Sequence, residues 1–67
     1  MTTNKKIGIE IRKLRKKKSL SAQELSELSG VTKTYITAVE RGEMNISIKK
    51  LEMICFGLDC KFNFSIK

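Results

Sequence analysis

The apolar residues of the chain recur at helical spacing in four segments that are joined by short connecting stretches. In the first segment, over about residues 5–17, Ile7, Ile11 and Leu14 form a single apolar stripe. The fourth segment begins at Ser47, a residue type that caps helices well. Its predicted inward positions are Ile48, Leu51, Ile54, Cys55 and Leu58.

The two middle segments, residues 21–29 and 32–41, are short and are joined by a glycine turn. Ser21 begins the first of them with the sequence of a capping box, and Gly30 can adopt the positive φ that ends it. Thr32 is the predicted cap of the second. The apolar positions predicted to face the interior of this helix pair are Leu25, Leu28, Val31, Ile36 and Val39.

A polar side remains on the second of these helices, made of Lys33, Thr34 and Thr37. An exposed helix that carries an ammonium group and hydroxyls near its N-terminal end suits the DNA major groove, where such groups reach base edges and phosphates. Lys33 is the strongest candidate for a guanine contact. Spacing alone leaves open a helical hairpin whose polar side is merely solvated.

The period changes after residue 58, where apolar residues alternate with polar ones in the manner of a strand over residues 59–67. A lone strand needs a partner, so we expect it to pair with its own copy across a two-fold axis. The alternative is a tail folded irregularly over its own core. Met53 and Phe56 lie off the inward face of the fourth helix, and the predicted dimer interface is Met53, Phe56, Phe62, Phe64 and Ile66.

Composition narrows the class of partner. The 67 residues are enough for one domain, residues 1–67, and 14 Lys and Arg against 7 Asp and Glu give a net charge of +7. That charge favours a polyanion, and the N-terminal apolar stripe is too narrow for a membrane-binding helix. No apolar run follows the first lysines, so we predict no signal peptide and a cytoplasmic protein.

Metal and catalytic chemistry are not predicted. The chain has two cysteines, five positions apart, and no histidine, so it lacks the ligand pattern of a zinc site and of a disulfide framework. We find no nucleophile–base pair and no glycine loop for phosphate. The expectation is a protein that is not an enzyme and that needs no metal or cofactor.

The segment SAQELSELSGVTKTYITAVERG resembles the helix-turn-helix of the Xre family, which includes the Cro and repressor domains of lambdoid phages. The similarity extends over about residues 5–58, and the motif Glu40-Arg41-Gly42 is its most specific part. The resemblance implies an all-α, lambda-repressor-like bundle of four helices, here with a C-terminal β-strand extension in place of a fifth helix. It also implies double-stranded DNA as the partner.

The resemblance also suggests where DNA would be contacted. Basic residues at the end of the first helix, in the run 15–18, are expected near phosphates, and Arg12 is expected to form a partly buried salt bridge with Glu40. Tyr35 is assigned either a phosphate contact or a packing role, and Ala38 a contact with a thymine methyl group. The full predicted DNA-binding set is Ser21, Thr32, Lys33, Thr34, Tyr35, Thr37, Ala38, Arg41 and Asn45.

These observations predict a sequence-specific transcriptional regulator that acts as a repressor and binds a palindromic operator as a homodimer. The alternative is an antitoxin that holds a toxin or other protein partner through Met53, Phe56 and the tail, and also represses its own operon.

Overall fold

The computed structural model describes residues 3–59, which form four α-helices and, within that range, no strand. The helices are α1 (Thr3–Lys17), α2 (Ala22–Ser29), α3 (Lys33–Glu40) and α4 (Ile48–Leu58). The predicted four-helix bundle is therefore confirmed, with α1 beginning two residues earlier than expected. The strand predicted for residues 59–67, with Phe62, Phe64 and Ile66, falls on residues outside the described range, apart from Asp59 at the end of α4.

Three of the helices begin at the predicted caps. The Ser21 hydroxyl accepts a hydrogen bond from the Glu24 amide at 3.0 Å, and the Ser21 amide donates to the Glu24 carboxylate at 2.8 Å, which completes the capping box. The Thr32 hydroxyl caps α3 and the Ser47 hydroxyl caps α4 in the same way. Local sequence thus fixes where α2, α3 and α4 start.

Left-handed backbone marks the ends of the helices. Gly30 ends α2 with φ 78°, and Gly42 follows α3 with φ 76°. Ser19 after α1 and Asp59 after α4 adopt the same conformation, with φ 57° and 52°, although each carries a side chain. Glycine tolerates this region at little cost and aspartate adopts it occasionally, whereas serine is strained there.

The core lies where the four helices meet. Its fully buried side chains are Ile11, Leu25, Ile36, Val39, Ile54 and Leu58, and Val31, Leu51 and Cys55 complete it.

Three apolar residues differ from their predicted positions. Leu28 is 52% exposed because α2 packs through Leu25 and the buried Ser29, four residues apart, which leaves Leu28 to one side. Ile48 is 56% exposed, and Ile46, just before α4, packs against the core in its stead. Met53, predicted to lie off the inward face, is instead partly buried against the core. Phe56 is 81% exposed, as its predicted position off that face requires.

Candidate nucleic-acid interface

Helix α3 buries one side and exposes the other. Ile36 and Val39 are almost completely buried, whereas Lys33 and Thr34 at the N-terminal end are exposed. Thr32, which caps the helix, is exposed as well. The ammonium group and hydroxyls predicted to reach base edges therefore lie on an uncovered surface at the end of α3 that carries the positive end of the helix dipole.

Thr37 and Ala38 lie further along α3 and are half-buried. The Thr37 hydroxyl donates a hydrogen bond of 3.0 Å to the carbonyl of Thr34, so its proton is already committed within the helix. Its oxygen can still accept a hydrogen bond. At this position Thr37 is suited to accept from a base amino group, as presented by adenine or cytosine in the major groove.

Tyr35 connects α3 to α4. Its ring is half-buried, and the Lys50 ammonium nitrogen lies 5.6 Å from the ring centroid, a distance at which a cation–π interaction is favourable. Of the two roles predicted for Tyr35, the structure provides the packing contact directly. The same contact holds the Lys50 charge close to α3.

The salt bridge that joins α1 to the end of α3 is made by Arg15, and the predicted pairing of Arg12 with Glu40 is wrong. Arg15 Nε and Nη2 donate to the two Glu40 carboxylate oxygens at 2.7 and 3.0 Å, while Nη1 donates to the Leu20 carbonyl at 2.8 Å. Arg12, one turn earlier, is exposed. The bridge is formed by Arg15 because its side chain can reach both Glu40 and the turn that follows α1.

This bridge is largely shielded from water, with side-chain exposures of 13% for Arg15 and 8% for Glu40. The hydrogen bond to Glu40 raises the pKa of Arg15, assisted by the Glu40 charge and opposed by burial. A bidentate pair of this kind fixes geometry as well as charge. It anchors the last turn of α3 against α1.

The phosphate-facing candidates change accordingly. Arg15 is turned inward, so the exposed part of the basic run is Lys16 to Lys18, and the exposed Arg12 adds another cation to α1. Ser21, also exposed, begins the next helix. Exposed lysines of this kind supply affinity for a polyanion without sequence preference.

The predicted contacts after α3 are Arg41 and Asn45, both of which are exposed. The Asn4 side-chain amide donates a hydrogen bond of 2.7 Å to the Asn45 side-chain oxygen. This leaves the Asn45 amide group as a potential donor to a phosphate. Asn4 was missed by sequence reasoning, since no local pattern indicates a partner 41 positions away.

Residues 3–59 hold neither a cluster of metal-binding side chains nor a helix that could cross a membrane. No cluster of three or more His, Cys, Asp or Glu residues in this range could hold a metal ion. None of the helices described there is both long and apolar enough to span a lipid bilayer.

Comparison with known proteins identifies the family. Residues 11–64 match the family model HTH_3, described as helix-turn-helix. The chain belongs to the HTH_3 family. HTH-type transcriptional regulator SinR from Bacillus subtilis is 43% identical over 54 residues, a match that spans 79% of this chain and 49% of SinR. Control protein C.SmaI from Serratia marcescens is 37% identical over 49 residues, which is 73% of this chain and 58% of that protein.

This HTH_3 chain thus spans about half the length of these curated relatives. Solved structures match it more fully. The restriction-modification controller protein C.AhdI from Aeromonas hydrophila superposes with a TM-score of 0.84 at 36% identity, over 87% of this chain and 84% of that one. The C.Esp1396I controller tetramer, solved in complex with its natural 35 base-pair operator, gives a TM-score of 0.86 at 32% identity. The match covers 91% of this chain and 82% of that chain.

Proposed function

We propose that this HTH_3 protein is a sequence-specific DNA-binding transcriptional regulator that represses transcription from its operator. The observation that carries the proposal is the likeness, over 91% of the chain, to a controller protein solved in complex with its operator. The exposed Lys33 and Thr34 on a helix anchored by Arg15 and Glu40 support it. The compartment in which it acts is then the one that holds the DNA, which we propose to be the cytoplasm.

Base and phosphate contacts come from different elements in this proposal. Lys33, Thr34 and Thr37 read base edges in the major groove, each good contact contributing about 1 to 3 kcal/mol of discrimination. The lysines at the end of α1 bind phosphates and supply affinity that does not depend on sequence. The other members of the predicted set remain proposed DNA contacts: Ser21, Thr32, Tyr35, Ala38, Arg41 and Asn45.

Selection of binding sites from random duplex DNA tests the proposal. A dimer that inserts one α3 into each of two successive major grooves requires half-sites about one helical turn apart, or roughly 34 Å. We expect enrichment of a palindromic motif with that spacing. Recovery of sequences with no shared motif, at any salt concentration used, would contradict the proposed function.

We also propose that the protein is a homodimer whose interface includes Phe56. A chain of 67 residues gains stability from association, and Phe56 is the most exposed large apolar side chain of the described range. The C-terminal Phe62, Phe64 and Ile66 remain predicted members of the same interface. Met53 contributes less, because it is already partly buried within one subunit.

Light scattering after size-exclusion chromatography tests this interface. Phe56→Ser should convert the dimer to a monomer at tens of micromolar, while Leu28→Ser, which replaces an exposed apolar residue of α2, should leave the mass unchanged. A wild-type monomer under the same conditions would contradict the dimer.

None of the relatives named above is described as an antitoxin, so the regulator is the function that we propose.

A further inference from the structure

Gly8 lies where α1 crosses the last turn of α3. A Cβ atom added to Gly8 would lie 2.3 Å from the Val39 carbonyl oxygen and 2.8 Å from that of Glu40. Both are backbone atoms, so no side-chain rotation could relieve the overlap. Glycine inside a helix is unfavourable relative to alanine, and Gly8 shows no positive φ that would call for it. What position 8 requires is the absence of a side chain.

Other contacts hold the same two elements together on either side of Gly8. Two turns further along α1, Arg15 binds the Glu40 carboxylate through two hydrogen bonds. Toward the start of α1, Lys5 packs so closely on Gly42 that a Cβ there would lie 3.0 Å from the Lys5 Cα. The end of α3 is therefore seated along one face of α1, and Gly8 sets the closest approach.

We infer that Gly8 is a positioning residue for DNA recognition: it fixes how far α3 projects from α1 and thereby aligns the base-reading side chains with the phosphate contacts. The inference rests on the proposed function. Adding a methyl group at position 8 would force the Val39 carbonyl away by about 1 Å to reach ordinary van der Waals separation. Lys33 is six residues from Val39, within about 9 Å along the same rigid helix, so Lys33 would move with the Val39 carbonyl.

A shift of this size affects the two kinds of DNA contact differently. Hydrogen bonds to base edges need their geometry held to within about 0.5 Å, so displacement of α3 relative to α1 weakens them. Flexible lysines such as Lys16 and Lys17 can still reach phosphates. The methyl group should therefore lower discrimination between sequences and leave affinity for unrelated DNA nearly unchanged.

The test measures dissociation constants for two duplexes, the site enriched from random DNA and a scrambled duplex of the same length and composition. The variants are Gly8→Ala and, as the matched control, Gly57→Ala. A Cβ at Gly57 would lie 2.9 Å from the Ser29 Cβ and 3.0 Å from Leu25 Cδ1, so the control disturbs the packing of α2 on α4 and spares the contact between α1 and α3. The readout is the specificity ratio, which is the dissociation constant for the scrambled duplex divided by that for the enriched site. Partial unfolding weakens both by the same factor, so the ratio remains interpretable if a variant is less stable.

Gly8→Ala should lower the ratio by about tenfold or more, which corresponds to the loss of one good base contact, with scrambled DNA bound within about twofold of wild type. Gly57→Ala should keep the wild-type ratio. The inference is overturned if Gly8→Ala also keeps that ratio, or if Gly57→Ala lowers it equally. A wild-type ratio near one would instead contradict the proposed function itself, and this inference with it.

Discussion

Replacing Arg15 by methionine should destabilise the protein severely, because the Glu40 carboxylate would then be left without its cation. The Glu40 side chain is only 8% exposed, and Arg15 provides both of its short hydrogen bonds as well as one to the Leu20 carbonyl. Breaking a buried pair by removing one partner costs about 3 to 5 kcal/mol. The free energy of unfolding of a domain of this size is roughly 3 to 10 kcal/mol, so most of the stability would be lost.

The assay is urea unfolding followed by far-UV circular dichroism, at equal protein concentrations because association also stabilises the folded state. Arg12→Met is the matched control, since Arg12 is exposed one turn earlier on the same helix. It should change the free energy of unfolding by less than about 0.5 kcal/mol. The double variant Arg15→Met/Glu40→Leu should recover part of the loss, because no unpaired charge remains. Equal losses for Arg12→Met and Arg15→Met would refute the assignment of the bridge.

Three further substitutions have defined outcomes. Ser19→Gly should raise the free energy of unfolding by about 0.5 to 1 kcal/mol, because glycine relieves the left-handed backbone at φ 57°; a lower melting temperature would contradict this. Ser47→Ala should cost about 1 kcal/mol by removing the cap of α4, and an unchanged urea midpoint would show that the hydrogen bond to the Lys50 amide contributes nothing. Lys17→Ala should weaken binding to all duplexes alike and reduce the salt dependence of the affinity by about one unit of slope for each subunit, or about two for the proposed dimer. A selective loss for the preferred site would be inconsistent with a phosphate contact.

Local signals were sufficient to predict the helices. The caps at Ser21, Thr32 and Ser47 and the turn at Gly30 depend on neighbouring residues alone, and each is found where the sequence placed it. The buried side of α3 also follows from spacing, with Ile36 and Val39 inside. The outward position of Lys33 and Thr34 is a consequence of the same period.

Contacts between helices could not be predicted in the same way. Arg12 and Arg15 lie one turn apart, so helical spacing cannot decide which of them meets Glu40; the choice depends on where α1 crosses α3, which the approach at Gly8 determines. Leu28 was misplaced for a related reason. Spacing put it beside Leu25, but α4 approaches α2 closely at Gly57 and covers Ser29 instead.

The most direct test of the account is to repeat the selection from random duplex DNA with Lys33→Ala beside the wild-type protein. Lys33 is exposed at the start of α3, and its replacement should not alter the fold. We expect the palindrome and its spacing to persist while the preference is lost at one base pair in each half-site, the discrimination there falling by about 1 to 3 kcal/mol. An enriched motif identical to that of the wild type would show that this side of α3 does not read the DNA.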